Sequence, residues 1–218
     1  LLVTLTACNF PLNPETWYVA TTGDNNNNCV SPENACRTIQ AAIDKAENAD
    51  TIIIAEGSYG WNITINKTLV LRGAGPDATS VDGRGIPGTV IHVSGNHLVT
   101  LEGMTITNGN DPPGVGGIYN QGSTLAIVNT IVTGNIGVGI DTRDGGLVIT
   151  DSTITNNIGR GIYSLESALV IRDSTITNND GTGIAVDGGS LSIYNSNISG
   201  NIDISDITAG GGIALWSN

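Results

Sequence analysis

From about residue 50 onward, apolar and polar positions alternate in short runs that Gly, Asn and Asp interrupt: TIIIAEG, WNITIN, TLVLRGAG, TVIHVSG, LVTLEG. Alternation with a period of two places one side of each run inward and the other outward, so these runs predict strands separated by turns. One segment differs. In ACRTIQAAIDKAENAD, residues 35–50, Ile39, Ala42, Ile43 and Ala46 recur at helical spacing and predict one short amphipathic helix. Residues 17–20 ahead of it read as a short strand, and NFPLNPET, residues 9–16, contains two Pro and no periodicity, as a tether would.

The alternation becomes a repeat in the second half. LVITDSTITNNIGRGIYSLESA, residues 147–168, is followed directly by LVIRDSTITNNDGTGIAVDGGS, residues 169–190. Superposing successive repeats gives columns. Leu125, Leu147, Leu169 and Leu191 form one, with Ile127, Ile149, Ile171 and Ile193 two positions on. Val132, Ile154, Ile176 and Ile198 form another, joined by Ile106, and Ile118, Ile140, Ile162 and Ile184 a third, joined by Ile213 after an insertion. Between the last two runs Asn135, Asn157, Asn179 and Asn201. A unit this short cannot bury its apolar face alone, so each must stack on its neighbours. Three inward columns on three strands predict a three-sided tube. Like residues then lie about 4.8 Å apart along it, where Asn amides can bond in a ladder.

The columns, the TIT-N-N and GxGI phrases, and the opening CRTIQAAIDKA…DTIIIAEGSY resemble the right-handed parallel β-helix proteins of the pectate-lyase-like superfamily. The resemblance covers residues 17–218 and implies an all-β, right-handed parallel β-helix with three strands per coil. It also implies that the N-terminal helix closes one end of the tube, where an open coil would present unpaired edges. The expected organisation is a truncated signal at residues 1–8, the tether at 9–16, the cap at 17–50 and the β-helix at 51–218.

Composition narrows the chemistry. Hydrophobic residues make up 39% of the chain but aromatics only 4%, with 30 Gly, so the core must be aliphatic and the turns many. Twenty acidic residues against eight basic ones give a net charge of −12, which repels phosphate backbones and argues against nucleic-acid binding. The first residues, LLVTLTACNF, are too short to span a bilayer. Leu-Thr-Ala-Cys resembles a bacterial lipobox, which implies lipidation of Cys8, an exported protein, and membrane contact only through that anchor. The absent initiating Met and an end in mid-pattern at GGGIALWSN suggest a longer natural chain. In an exported protein, Cys29 and Cys36 are expected to form a disulfide, since two Cys without nearby His make an incomplete metal shell.

The superfamily includes polysaccharide lyases, glycoside hydrolases, uronate epimerases and non-catalytic surface proteins, so the side chains must decide. Asp151 and Asp173 share a column with Asn129 and Asn195, but at a turn, where these residues serve backbone geometry. No acidic cluster resembles a pectate-lyase calcium site, and neither a metal nor a cofactor is implied. His92 and His97 read as turn or surface residues. The outward third-strand positions stand out: Tyr119, Asp141, Tyr163 and Ala185 in one column, Gln121, Arg143, Leu165 and Asp187 two residues on. Aromatics beside charged groups suit a sugar surface, so Tyr119, Gln121, Asp141, Arg143, Tyr163 and Asp187 are the candidate site, with a polysaccharide or surface glycan as partner. Longer coils at 110–115 and 202–208 would wall it. The leading expectation is a non-catalytic glycan-binding or adhesion module. The alternative is a lyase, hydrolase or epimerase acting on an acidic polysaccharide, and ice binding by the Thr rows of the second strands ranks third.

Overall fold

The computed structural model describes residues 14–203 and 211–216. Cys8 and residues 204–208 therefore lie outside the described residues. Within them the chain winds as a parallel three-sided solenoid. The second strands stack as one seven-stranded sheet, from Gly57–Gly60 to Asn197–Ser199. The first and third strands join into a single thirteen-stranded sheet, because Ile162–Arg172 and Ile184–Tyr194 run unbroken through the corner between faces.

Register follows the sequence columns. Leu125 pairs with Leu147, Val132 with Ile154 and Ile140 with Ile162, and each of these is fully buried. Removing such a side chain from water stabilises by about 1.5 to 3 kcal/mol apiece, and stacking lets every coil contribute. The three corners are closed by polar ladders. Asn135, Asn157 and Asn179 each donate an amide to the Oδ1 of the next Asn, at 2.9, 2.9 and 2.8 Å, and their backbone N–H groups bond the same oxygens. At a second corner Thr130, Ser152 and Ser174 donate backbone N–H groups to the hydroxyls of Ser152, Ser174 and Ser196. At the third, Gly145 N–H bonds Ser167 Oγ at 3.1 Å.

The residue beside each ladder turns the chain through the left-handed region. Asn129, Asp151, Asp173 and Asn195 have φ between 44 and 50°, a conformation these short polar side chains tolerate. Asp151 and Asp173 are thus turn residues with exposed side chains. The second-strand Thr rows are in register but interrupted by Ile131 and Asn197.

At the N-terminal end, Ile39–Lys45 is an α-helix capped by the Thr38 hydroxyl, with Ile39, Ala42 and Ile43 packed into the core. The helix lies against Thr16–Val19, which pairs with Asp50–Ile54, so the first strand begins one residue before the expected cap boundary. Cys29 and Cys36 form a disulfide and are fully buried. Among the described residues no helix is long and apolar enough to cross a membrane.

Candidate functional site

The third-strand face is set by alternation within short strands. Ile118 and Asn120 point inward in one coil, Ile140 and Thr142 in the next, Ile162 and Ser164 after that, all fully buried. Their neighbours must point outward. Tyr119, Asp141, Tyr163 and Ala185 stand in register in one column, and Gln121, Arg143, Leu165 and Asp187 in the next. His92 continues the first column toward the cap and Ala214 continues it the other way.

Outward does not mean exposed. Asp141 is 1% accessible because Arg143, two residues on in the same strand, folds back over it. Arg143 Nε reaches Oδ1 at 3.0 Å and Nη2 reaches Oδ2 at 2.8 Å, a two-pronged fork. A carboxylate this far from water requires such a partner. The guanidinium carbon lies 5.5 Å from the Tyr119 ring and 5.7 Å from the Tyr163 ring. Rings two coils apart leave a gap of about two strand spacings, which one planar cation fills with cation–π attraction to both. The hydrogen bonds to Asp141 hold the Arg143 pKa well above the ordinary guanidinium value, against the opposing effect of burial.

The row extends beyond the predicted residues. His92 stacks on Tyr119, with ring centres 5.2 Å apart. Arg160 lies 5.2 Å from the Tyr163 ring and 5.9 Å from Trp216. Arg160, Tyr163, Asp187 and Trp216 line one depression. A second, which also reaches Arg160, is lined by Pro112, Pro113, Ile158, Asp180 and Asp203. Pro112 and Pro113 of the 110–115 extension and Asp203 of the 202–208 segment share this second depression with Arg160. Burial pushes the Tyr163 phenol up, the negative charge of Asp187 adds to this, and Arg143 and Arg160 partly offset it. Tyr163 therefore holds its proton at neutral pH and can donate a hydrogen bond.

The structure thus brings Tyr119, Asp141, Arg143 and Tyr163 into one contact cluster and places Asp187 beside Tyr163 through the depression near Arg160. Gln121 is exposed at the edge of the Tyr119 strand. Arg160 and Trp216 escaped the sequence reading, and His92, expected as a turn or surface residue, is instead a strand residue of this row. A signal for Arg160 existed: Val138, Arg160 and Thr182 share a repeat position, and only one of them is charged. His92 and Trp216 lie in coils whose spacing differs from the regular repeat, so no column pointed to them. The tyrosine rings are engaged by cations, so the face offers solvent polar edges more than open aromatic planes. Its two arginines, Arg143 and Arg160, stand among two carboxylates, Asp141 and Asp187. No group of three or more His, Cys, Asp or Glu poised to hold a metal ion occurs among the described residues.

The chain matches the family described as right-handed beta helix region over residues 23–201, and it belongs to that family. No curated protein matches it in sequence. Among solved structures it is similar to the pectate lyase Pel9A, with a TM-score of 0.69, 18% identity, and coverage of 91% of this chain and 57% of that one. It is similar too to AlyGC, an alginate lyase of family PL6, with a TM-score of 0.58 and 21% identity over 84% of this chain and 28% of that one. For the pectin methylesterase PemA from Erwinia chrysanthemi, the TM-score is 0.51 and the identity 13%, over 84% and 79% of the two chains. The chain spans little more than half of the first of these proteins and under a third of the second. At these identities the likeness establishes the fold.

Proposed function

We propose that this chain is a non-catalytic module that binds a polysaccharide or surface glycan along its third-strand face. The observation that carries the reading is the Arg143 guanidinium, forked onto Asp141 and held between Tyr119 and Tyr163. A pre-positioned planar donor flanked by phenols presents directed hydrogen-bond donors with little side-chain freedom left to lose, which favours binding of hydroxyl-rich chains. The printed activities of the structural neighbours, all on polysaccharides, support the substrate class. The Cys29–Cys36 disulfide supports an oxidising, exported setting, and the lipobox-like Cys8 supports anchorage at the cell surface.

One observation favours the catalytic alternative of a lyase, hydrolase or epimerase. Tyr163 keeps its proton beside two arginines and Asp187, an arrangement that suits proton transfer next to a sugar carboxylate. Against it, the Arg143 charge is already matched by Asp141.

Incubation with a panel of neutral and acidic polysaccharides, read by mass spectrometry and affinity electrophoresis, separates the two. Retardation of at least one polymer with no shortened or unsaturated product is the expected result. It should vanish in a Tyr119→Ala, Tyr163→Ala variant that still unfolds cooperatively. Unchanged retardation in that variant removes the face from consideration, and unsaturated oligosaccharides make the protein a lyase. For the anchor, Cys8→Ala should move the full-length protein from the membrane to the soluble fraction.

A further inference from the structure

A further depression lies at the capped end, on coils that precede those of Tyr119, Asp141, Arg143 and Tyr163. It arises from unequal coils. Trp61 and Asn62 alone connect Gly60 to Ile63, whereas residues 83–90 connect Asp82 to Ile91 in the next coil. The longer connection stands away from the shorter and leaves a hollow of about 440 Å³, lined by Arg37, Ser58, Gly60, Trp61, Arg84 and Ile86 among others.

Its lining is unlike the rest of the molecule. The chain has eight basic residues and a net charge of −12, yet two arginines and no acidic residue line this hollow. Among the described residues no carboxylate lies within ion-pair distance of the Arg37 or Arg84 guanidinium. Asp82, the nearest acidic residue in sequence to Arg84, is engaged by the Arg84 backbone N–H at 2.7 Å and by the Asn108 amide at 3.0 Å. Trp61 is closely packed by the chain: a Cβ at Gly88 would come 2.7 Å from the indole Cζ3, so glycine is what lets the backbone approach the ring there. The indole packs against the core and lines the hollow. Ser58 adds an exposed hydroxyl.

A partly buried indole, two cations without carboxylate partners and a hydroxyl are the complement of a ring with an apolar face, hydroxyls and a negative group. We infer that the hollow formed by Arg37, Arg84 and Trp61 binds an anionic sugar residue, its ring over Trp61 and its carboxylate or sulfate on the two guanidinium groups. The third-strand face, with arginines and carboxylates balanced, has no such preference for charge. The two surfaces are therefore distinct in chemistry as well as in place.

The test is titration calorimetry of the full chain with three probes: a galacturonate tetramer, its methyl ester, and a sulfated galactan tetramer. At least one anionic tetramer should bind, and the ester about tenfold or more weaker, since it keeps the ring and loses the charge. Arg37→Gln with Arg84→Gln should weaken the anionic probe by about tenfold or more. Gly60→Gln offers an uncharged check, because a Cβ there meets nothing within 4 Å, and a longer side chain at this lining position should also weaken the anionic probe. The same titrations in a Tyr119→Ala, Tyr163→Ala background remove the contribution of the third-strand face, so the effect of the two arginines is read there. Equal affinity in the Arg37, Arg84 variant, equal affinity for the ester, or no binding of either anionic tetramer would overturn the assignment. Which anionic probe binds tells carboxylate from sulfate.

Discussion

The corner that holds Asn135, Asn157, Asn179 and Asn201 and the outer column of the next strand are built by the same coils, yet they obey opposite rules. At the corner one residue is written four times, because each amide is donor to the next coil and acceptor from the last. On the outer column the same coils carry Tyr119, Asp141, Tyr163 and Ala185. Nothing in the backbone asks for those four. Inside a solenoid, identity is enforced by the neighbour; outside, it is free to vary. Departure from the repeat on a strand that is otherwise repeated therefore points to chemistry, and the Arg143 cluster and Arg160 are both departures.

That contrast breaks most sharply at the ladder. Asn157→Leu takes the 3.2 and 2.9 Å acceptor from the Asn135 backbone N–H and amide and removes the Asn157 amide donor from the Val132 carbonyl. With buried groups costing about 1 to 3 kcal/mol each, a loss of about 3 to 5 kcal/mol is expected in chemical unfolding, whereas the exposed neighbour change Asn156→Gly should stay within about 0.5 kcal/mol. Equal effects of the two would mean that the ladder is incidental.

The capped end should respond next. Replacing Cys29 and Cys36 by Ser reopens a short loop that closes the cap and should lower stability by about 2.5 kcal/mol in the loop-entropy treatment, measured as a shift in the denaturant midpoint. A smaller cost is expected on the outer column. Asp141→Asn should destabilise by about 1 kcal/mol, because Arg143 is partly exposed and regains water. It should at the same time raise affinity for acidic over neutral polysaccharides by releasing a charge. A ladder-sized loss of stability with no change in preference would make Asp141 a structural residue.

The smallest effect is a pH dependence. The Tyr163 pKa is raised in the folded chain above its ordinary value of 10.0. The folded state thus binds this proton more tightly than the unfolded one, so the associated stability is complete below about pH 10 and is lost as the pH climbs through the folded value. Thermal unfolding should shift down on the alkaline side, and Tyr163→Phe should lessen the shift. Tyr59, also raised by burial, leaves a residual dependence in the variant. An identical alkaline loss in Tyr163→Phe would show that the phenol is not desolvated.

How much was legible follows from the same distinction. The apolar columns, the Asn ladder, the α-helix Ile39–Lys45 and the turn role of Asp151 and Asp173 could all be read from spacing, because a stacked coil converts sequence period directly into contact. The Ser152–Ser174–Ser196 ladder was present in the repeat but hidden, since Ser beside Asp at a turn reads as local turn chemistry until the next coil is placed above it. The site was legible only as a list of outward positions. That Arg143 turns back onto Asp141, and that His92, Arg160 and Trp216 complete the row, depends on side-chain directions across several coils, one of them beyond a chain insertion.

The amino-acid sequence by itself determined the solenoid, its three inward faces and the cap, because period and polarity act between neighbours a fixed number of residues apart. Only the tertiary structure decided which outward groups meet, that Asp141 is covered while Arg143 is half open, and that unequal connections after Gly60 and Asp82 leave a hollow beneath Arg84. Those outcomes rest on reach, rotamer and loop height, quantities that no period in the sequence encodes.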